Sequence, residues 1–215
     1  MATQGAPTDF ARLVAWTLIA GAVIFWIGAG TPPYRQWMGP PIKEYLSIIA
    51  ANRPNWLFIN GCFASATVVT VVGLSGLTAV LRGAGDRGWS VLALALYATG
   101  AGLWLVHLGH RLAVTPWAAG ELAGTGDVPI GYEATRRWMG LLFGAYMVMA
   151  YLSVAAYGAA IIETAVVPRW VGKAAIVFGL VAVPGLATPL FQPPLMVHVL
   201  PFLVGVMLLR SLPAG

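Results

Sequence analysis

The sequence predicts an all-α, polytopic membrane protein: a six-transmembrane-helix bundle whose fifth and sixth helices are broken by proline. Three observations carry this. Only 9% of the 215 residues are charged, against about 25% in soluble domains, too few to cover a water-soluble surface. The mean hydropathy is +0.81. Long apolar runs have cores without Asp, Glu, Lys or Arg, and about 20 such residues cross a hydrocarbon core as a helix. A β-barrel would instead need strands of about ten residues with alternating polarity.

As one domain over 1–215, the spans are drawn at about 11–30, 55–81, 88–110, 137–162, 171–190 and 195–211. The first follows Arg12 and has the look of a secretory leader, but reads as a retained span. Trp56, Trp89, Trp138 and Trp170 stand near span starts, where an amphipathic indole favours the headgroup level. Pro184, Pro189, Pro193, Pro194 and Pro201 interrupt the last two runs.

An even span count puts both ends of the chain on one side. That side carries Arg12, Arg82, Arg87, Arg169, Lys173 and Arg210 in short loops and tails. The positive-inside rule acts best there, so both termini are expected in the cytoplasm. Arg outnumbers Lys ten to two and Ala and Gly abound. This usage fits a GC-rich bacterial genome, and the inner membrane is the expected location. The net charge of +5 belongs to residues between the apolar runs, so topology and lipid headgroups explain it, and no nucleic-acid surface is expected. The single cysteine, Cys62, excludes an intrachain disulfide and reads as a small core residue.

The outer side is more elaborate. In the first loop, 31–54, Ile42, Tyr45, Leu46 and Ile49 follow i, i+3, i+4, i+7 spacing. They predict a short amphipathic helix that covers the bundle. The stretch 112–135 is rich in Gly, carries Glu121, Asp127 and Glu133, and reads as a long loop of the kind that forms lids and binding sites. Glu133 and Arg137, four apart, are placed to pair. GLLFG at 140–144 has the GxxxG spacing and GCFAS at 61–65 sets small residues four apart. Both predict helix–helix contacts, because small residues let backbones approach closely. Tyr146, Tyr151, Ser153 and Tyr157 are expected to face other helices.

Candidate chemistry gathers around LWLVHLGHRL, residues 103–112, with two of the three histidines. His107 and His110 close the third span, Trp104 precedes them on the same face, and His198 and Asn60 open spans six and two from that same side. Trp104, His107, His110, His198 and Asn60 are therefore the candidate ligand pocket. Arg35, Arg136 and Arg137 are candidate contacts to an anion or lipid headgroup. Three readings of the histidines stay open. They are hydrogen-bonding interface residues, or a three-imidazole metal site formed by His107, His110 and His198. Or one of the span-three pair ligates haem together with His198.

No G-x-S-x-G, P-loop or dinucleotide fingerprint is present, and no acid lies in mid-span, which argues against a carboxylate-driven proton pump. Enzymatic activity is left open. The reading is a membrane binding or accessory protein that holds a small apolar ligand, a lipid or a partner helix at an outer-leaflet pocket. The alternatives are a metal- or haem-dependent membrane enzyme and, third, a small-molecule transporter. Expected partners are membrane lipids and a second membrane subunit or copy of the chain.

The stretches RLVAWTLIAGAVIF, PNWLFINGCFASAT, VVPRWVGKAAIVFGLVA and LPFLVGVMLLR together resemble a broad bacterial family of uncharacterised six-helix integral membrane proteins. The resemblance implies the six-helix membrane fold and carries no catalytic signature.

Overall fold

The computed structural model describes residues 8–32, 40–187 and 194–212. Every regular element among them is helical: α1 (Thr8–Gly30), α2 (Ile42–Ala51), α3 (Arg53–Gly83), α4 (Trp89–Thr125), α5 (Tyr132–Thr164), α6 (Arg169–Gly185), a 3₁₀ turn (Pro194–His198) and α7 (Val199–Ser211). Four of these, α1, α3, α4 and α5, are long and apolar enough to cross a membrane. α6 has 17 residues and α7 has 13, short of the roughly 20 that a crossing takes. α6 ends one residue after Pro184. Pro189, Pro193 and Arg35 lie outside the described residues.

The helices pack in the order α7, α1, α3, α4, α5, α6, with α6 and α7 scarcely touching. The 3₁₀ turn packs between α1 and α5. The core is the inner face of each helix: Leu18 and Phe25 on α1, Trp56, Phe63 and Leu74 on α3, Trp104 on α4, and Tyr146, Tyr151 and Tyr157 on α5.

α4 departs from the expected span. The chain from 112 to 125, read above as loop, continues the helix through Pro116. Thr115, Ala118, Ala119 and Leu122 are buried at i, i+3, i+4, i+7 spacing. That stripe packs on α2, and tertiary contact overrides the helix-breaking tendency of the proline. The real connection to α5 is only Gly126–Gly131. Its glycines at both ends take positive φ, 78° and 83°, which a side chain would strain. At 37 residues α4 is about 55 Å long, against a hydrocarbon core of roughly 30 Å. α2 covers the extension, with Leu46 and Ile49 buried and Lys43 reaching Asp127 at 3.4 Å.

The GxxxG expectation fails. A Cβ added at Gly140, Gly144 or Gly61 would meet nothing within 4 Å. The contact face of α5 runs through Tyr146, Ala150, Ser153, Tyr157 and Ile161, and Gly140 and Gly144 lie off it. The close approach is Gly158 against Gly172, where an added Cβ on either would stand 2.6 or 2.5 Å from the carbonyl oxygen of the other. Trp89, Trp138 and Trp170 are exposed as expected of interface indoles, but Trp56 is sealed and donates its Nε1–H to the Arg111 carbonyl.

Asp86 holds the turn between α3 and α4. Its Oδ1 accepts from the Trp89 backbone N–H at 3.0 Å, and its Oδ2 accepts from the Ser90 N–H at 3.2 Å and the Ser90 hydroxyl at 2.6 Å. Burial alone would raise this carboxyl. The hydrogen bonds from the Ser90 hydroxyl and from the N–H groups of Ser90, Gly88 and Trp89 outweigh it and hold the group below its ordinary value. Asp86→Ala is expected to cost about 1–2 kcal/mol, the range of a lost helix cap. Because the folded carboxyl is depressed, this advantage is complete above the unfolded value of about 4 and fades as pH falls through the folded one. Thermal unfolding of both forms in detergent between neutral and acid pH checks it: the two curves should converge at the acid end.

Candidate functional site

The buried face of α3 reads Trp56, Ile59, Asn60, Phe63, Ala66, Thr67, Thr70, Gly73, Leu74, a three-and-four repeat that keeps polar and aromatic side chains on one stripe. α4 answers with Tyr97, Ala101, Trp104 and Leu108, and α5 with Tyr146 and Met147. A continuous aromatic stack results. The His198 ring lies 4.1 Å from that of Phe25, and Phe25 4.5 Å from Phe63. Phe63 is 6.3 Å from Trp104, which stacks on Tyr146 at 5.3 Å and on His107 at 5.1 Å.

A polar seam runs through this stack. The Thr70 hydroxyl lies 3.5 Å from His198 Nδ1. The Tyr97 hydroxyl faces Thr70 and the Tyr146 hydroxyl, yet neither phenol reaches hydrogen-bond geometry. Five atoms here are buried with no hydrogen-bond partner: Asn60 Oδ1, Tyr97 OH, Trp104 Nε1, Tyr146 OH and His198 Nε2. All five residues are at most 1% exposed. Each such group costs several kcal/mol away from water unless something meets it, and native interiors leave few of them.

The three histidines have separate partners. His107 donates from Nδ1 to the Met139 carbonyl at 2.9 Å. His110 meets the hydroxyls of Thr135 and Thr115 at 3.4 and 3.5 Å and stacks on Tyr132. His198 bonds Thr70, 17 residues into α3, roughly 25 Å from the start of that helix. Met139 and Thr135 belong to the first two turns of α5. Span parity gave an expected side for His198 and no depth; the Thr70 contact supplies the depth. The rings of Phe25, Phe63 and Trp104 stand between His198 and His107. The expected three-imidazole metal site is therefore not assembled, and among the described residues no three His, Cys, Asp or Glu side chains come together to hold an ion. Trp104 and Asn60 do belong to the seam. No family model, curated protein or solved structure matches the chain. Its chemistry is read from the seam itself.

Sequence reasoning passed over Thr70, Tyr97, Phe25 and Phe63. The first two carry a signal in retrospect, being polar groups at helical spacing from Asn60 and Trp104 inside apolar runs. Of the arginines, Arg137 pairs with Glu133 at 2.6 Å on the surface, while Arg136 turns to the ring of Tyr45. A separate groove of about 150 Å³ opens between α5, α6 and α7, lined by Val154, Val171, Ala175, Phe178, Val199 and Leu203. It offers an alkyl chain apolar contact and no polar anchor.

Proposed function

We propose that this chain is a membrane-embedded binding protein for a small, mainly apolar molecule that carries carbonyl or ether oxygens. The observation that carries the reading is the set of five partnerless buried polar atoms: those of His198, Trp104 and Tyr146 on the rings of the stack, and those of Asn60 and Tyr97 on the buried faces of α3 and α4. The two phenols and the Trp104 indole are donors. With Thr70 donating to His198 Nδ1, a neutral imidazole presents Nε2–H as a fourth donor. Asn60 Oδ1 is the lone obligate acceptor, and its amide nitrogen donates one N–H to the Trp56 carbonyl at 2.7 Å. Such a donor-rich lining complements oxygen acceptors on an otherwise apolar body, the usual make-up of a small-molecule site. The metal and haem alternatives need His198 to face a span-three imidazole, and they find no support where the rings of Phe25, Phe63 and Trp104 lie between His198 and His107.

In this reading α6 and α7 complete six crossings, as the resemblance to the bacterial family implies. The short loops 84–88 and 165–168 then share the cytoplasmic side of the inner membrane with both ends of the chain. The Arg87–Glu163 pair at 2.9 Å ties the 84–88 loop to the last turn of α5, which supports the antiparallel order.

The test is extraction of the protein from native membranes in polymer nanodiscs, followed by mass spectrometry of its organic extract. A stoichiometric oxygen-bearing molecule is expected, and it should be lost from the Tyr97→Phe/Tyr146→Phe variant. An extract identical to bulk lipid, or a high-resolution map with waters alone bridging the five atoms, would overturn the proposal.

A further inference from the structure

A second constellation lies at the α2-covered end of the bundle, apart from the seam. Arg111 lays its guanidinium carbon 4.6 Å from the centroid of the Trp56 ring, and its Nε is buried with no hydrogen-bond partner. Arg136 stands 5.8 Å over the Tyr45 ring. Tyr45 and Trp56 meet edge to face at 5.8 Å, so the two cations flank one aromatic pair. The Tyr45 hydroxyl lies within electrostatic reach of both and beside the hydroxyls of Tyr132 and Thr115. Tyr132 in turn donates to Thr115 at 3.2 Å.

Among the described residues no carboxylate pairs with either cation. Asp9, Asp127, Glu133 and Glu163 pair with Arg12, Lys43, Arg137 and Arg87. Asp86 is buried at the far end of α4. Glu44 and Glu121 are exposed, and neither forms an ion pair among the described residues. Arg111 and Arg136 both lie within electrostatic reach of the Tyr45 and Tyr132 hydroxyls, and cation–π contact offsets only part of the repulsion between two such cations. Planar guanidinium forks and phenol donors match the oxygens of a phosphate.

We propose that Arg111 and Arg136, with the hydroxyl of Tyr45, form a binding site for a phosphate-type oxyanion, either free phosphate or the phosphodiester of an anionic lipid headgroup. The site stands independently of the seam and its ligand. Trp56 and Tyr45 fix the two cations, and the Thr115 and His110 side chains keep the wall polar.

The experiment measures thermal stability of the full chain in three settings: inorganic phosphate titrated in neutral detergent, phosphatidylcholine nanodiscs, and nanodiscs that also contain phosphatidylglycerol. Stabilisation by phosphatidylglycerol but not by inorganic phosphate identifies a lipid headgroup; stabilisation by both identifies a small oxyanion. In either case Arg111→Gln/Arg136→Gln should raise the half-saturating concentration about tenfold or more, while Arg87→Gln, whose partner is Glu163 at the other end of α4, should leave it unchanged. Should the double variant fail to fold, the exposed Arg136→Gln alone must show the loss. No stabilisation by either anion, or an unchanged response in the arginine variant, overturns the proposal. Neither result touches the extract measurement that tests the seam.

Discussion

Gly158→Leu is expected to drive α6 off α5 and to destabilise the protein by about 3 kcal/mol or more, the upper part of the range for overpacking. The reason is the identity of the obstructing atom. A Cβ at position 158 meets the Gly172 carbonyl oxygen at 2.6 Å, with Ile176 and Ala175 at 2.9 and 3.0 Å. A flexible side chain could turn away, but a helical carbonyl moves only with its helix. Gly144→Leu is the matched control. It sits in the GLLFG motif, its added Cβ meets nothing within 4 Å, and a surface change of this kind stays within about 0.5 kcal/mol. Unfolding in mixed micelles separates them. Equal effects from the two substitutions would refute the assignment of the α5–α6 contact.

Phe25→Ala is expected to cost about 3–5 kcal/mol, as for other buried Phe truncations. Phe25 is fully buried and is the ring between His198 and Phe63. Its loss removes dispersion contacts on two faces at once and takes away the contact that seats His198, just before α7, on α1. In a membrane this packing carries the association of helices, since lipid tails offer no hydrophobic drive. Phe25→Leu restores much of the volume and should cost clearly less. If Phe25→Ala unfolded in mixed micelles within 1 kcal/mol of the native protein, the stack would be no part of what holds α7 in place.

The cores of α1, α3 and α5 were legible because a continuous apolar run has few other uses. α2 was legible from Ile42, Tyr45, Leu46 and Ile49, where one helical stripe is enough. The end of α4 was not: Pro116 and the flanking glycines read as breakers, and only the packing of Thr115, Ala118, Ala119 and Leu122 under α2 keeps the helix going. GxxxG spacing looks the same whether it faces a helix or open space, so Gly140 and Gly144 misled while Gly158 and Gly172 passed unseen. Asn60 and Trp104 were recognisable as polar groups on a buried face. Thr70 and Tyr97 became members of the site through contacts between helices, which no local spacing encodes. The histidines show the same limit: the sequence placed them by span order, and depth within the bundle depends on how the segment before α7 folds back.

α7 finds its seat on α1, with Gly205 against the Ala15 carbonyl and His198 on Phe25, and hardly meets α6, its neighbour in sequence. A ribosome delivers α1 first among the described helices and α7 last. The seat on α1 therefore stands open while nearly the whole chain is made and inserted. It must be shielded meanwhile by lipid or by the insertion machinery, and the seat is filled only through contacts of very high sequence separation, the kind that form slowly. Lesions in α1 at Ala15, Leu18 or Phe25 should then do harm late in biogenesis, leaving chains in which the helices before α7 are in place while α7 is undocked and open to proteolysis.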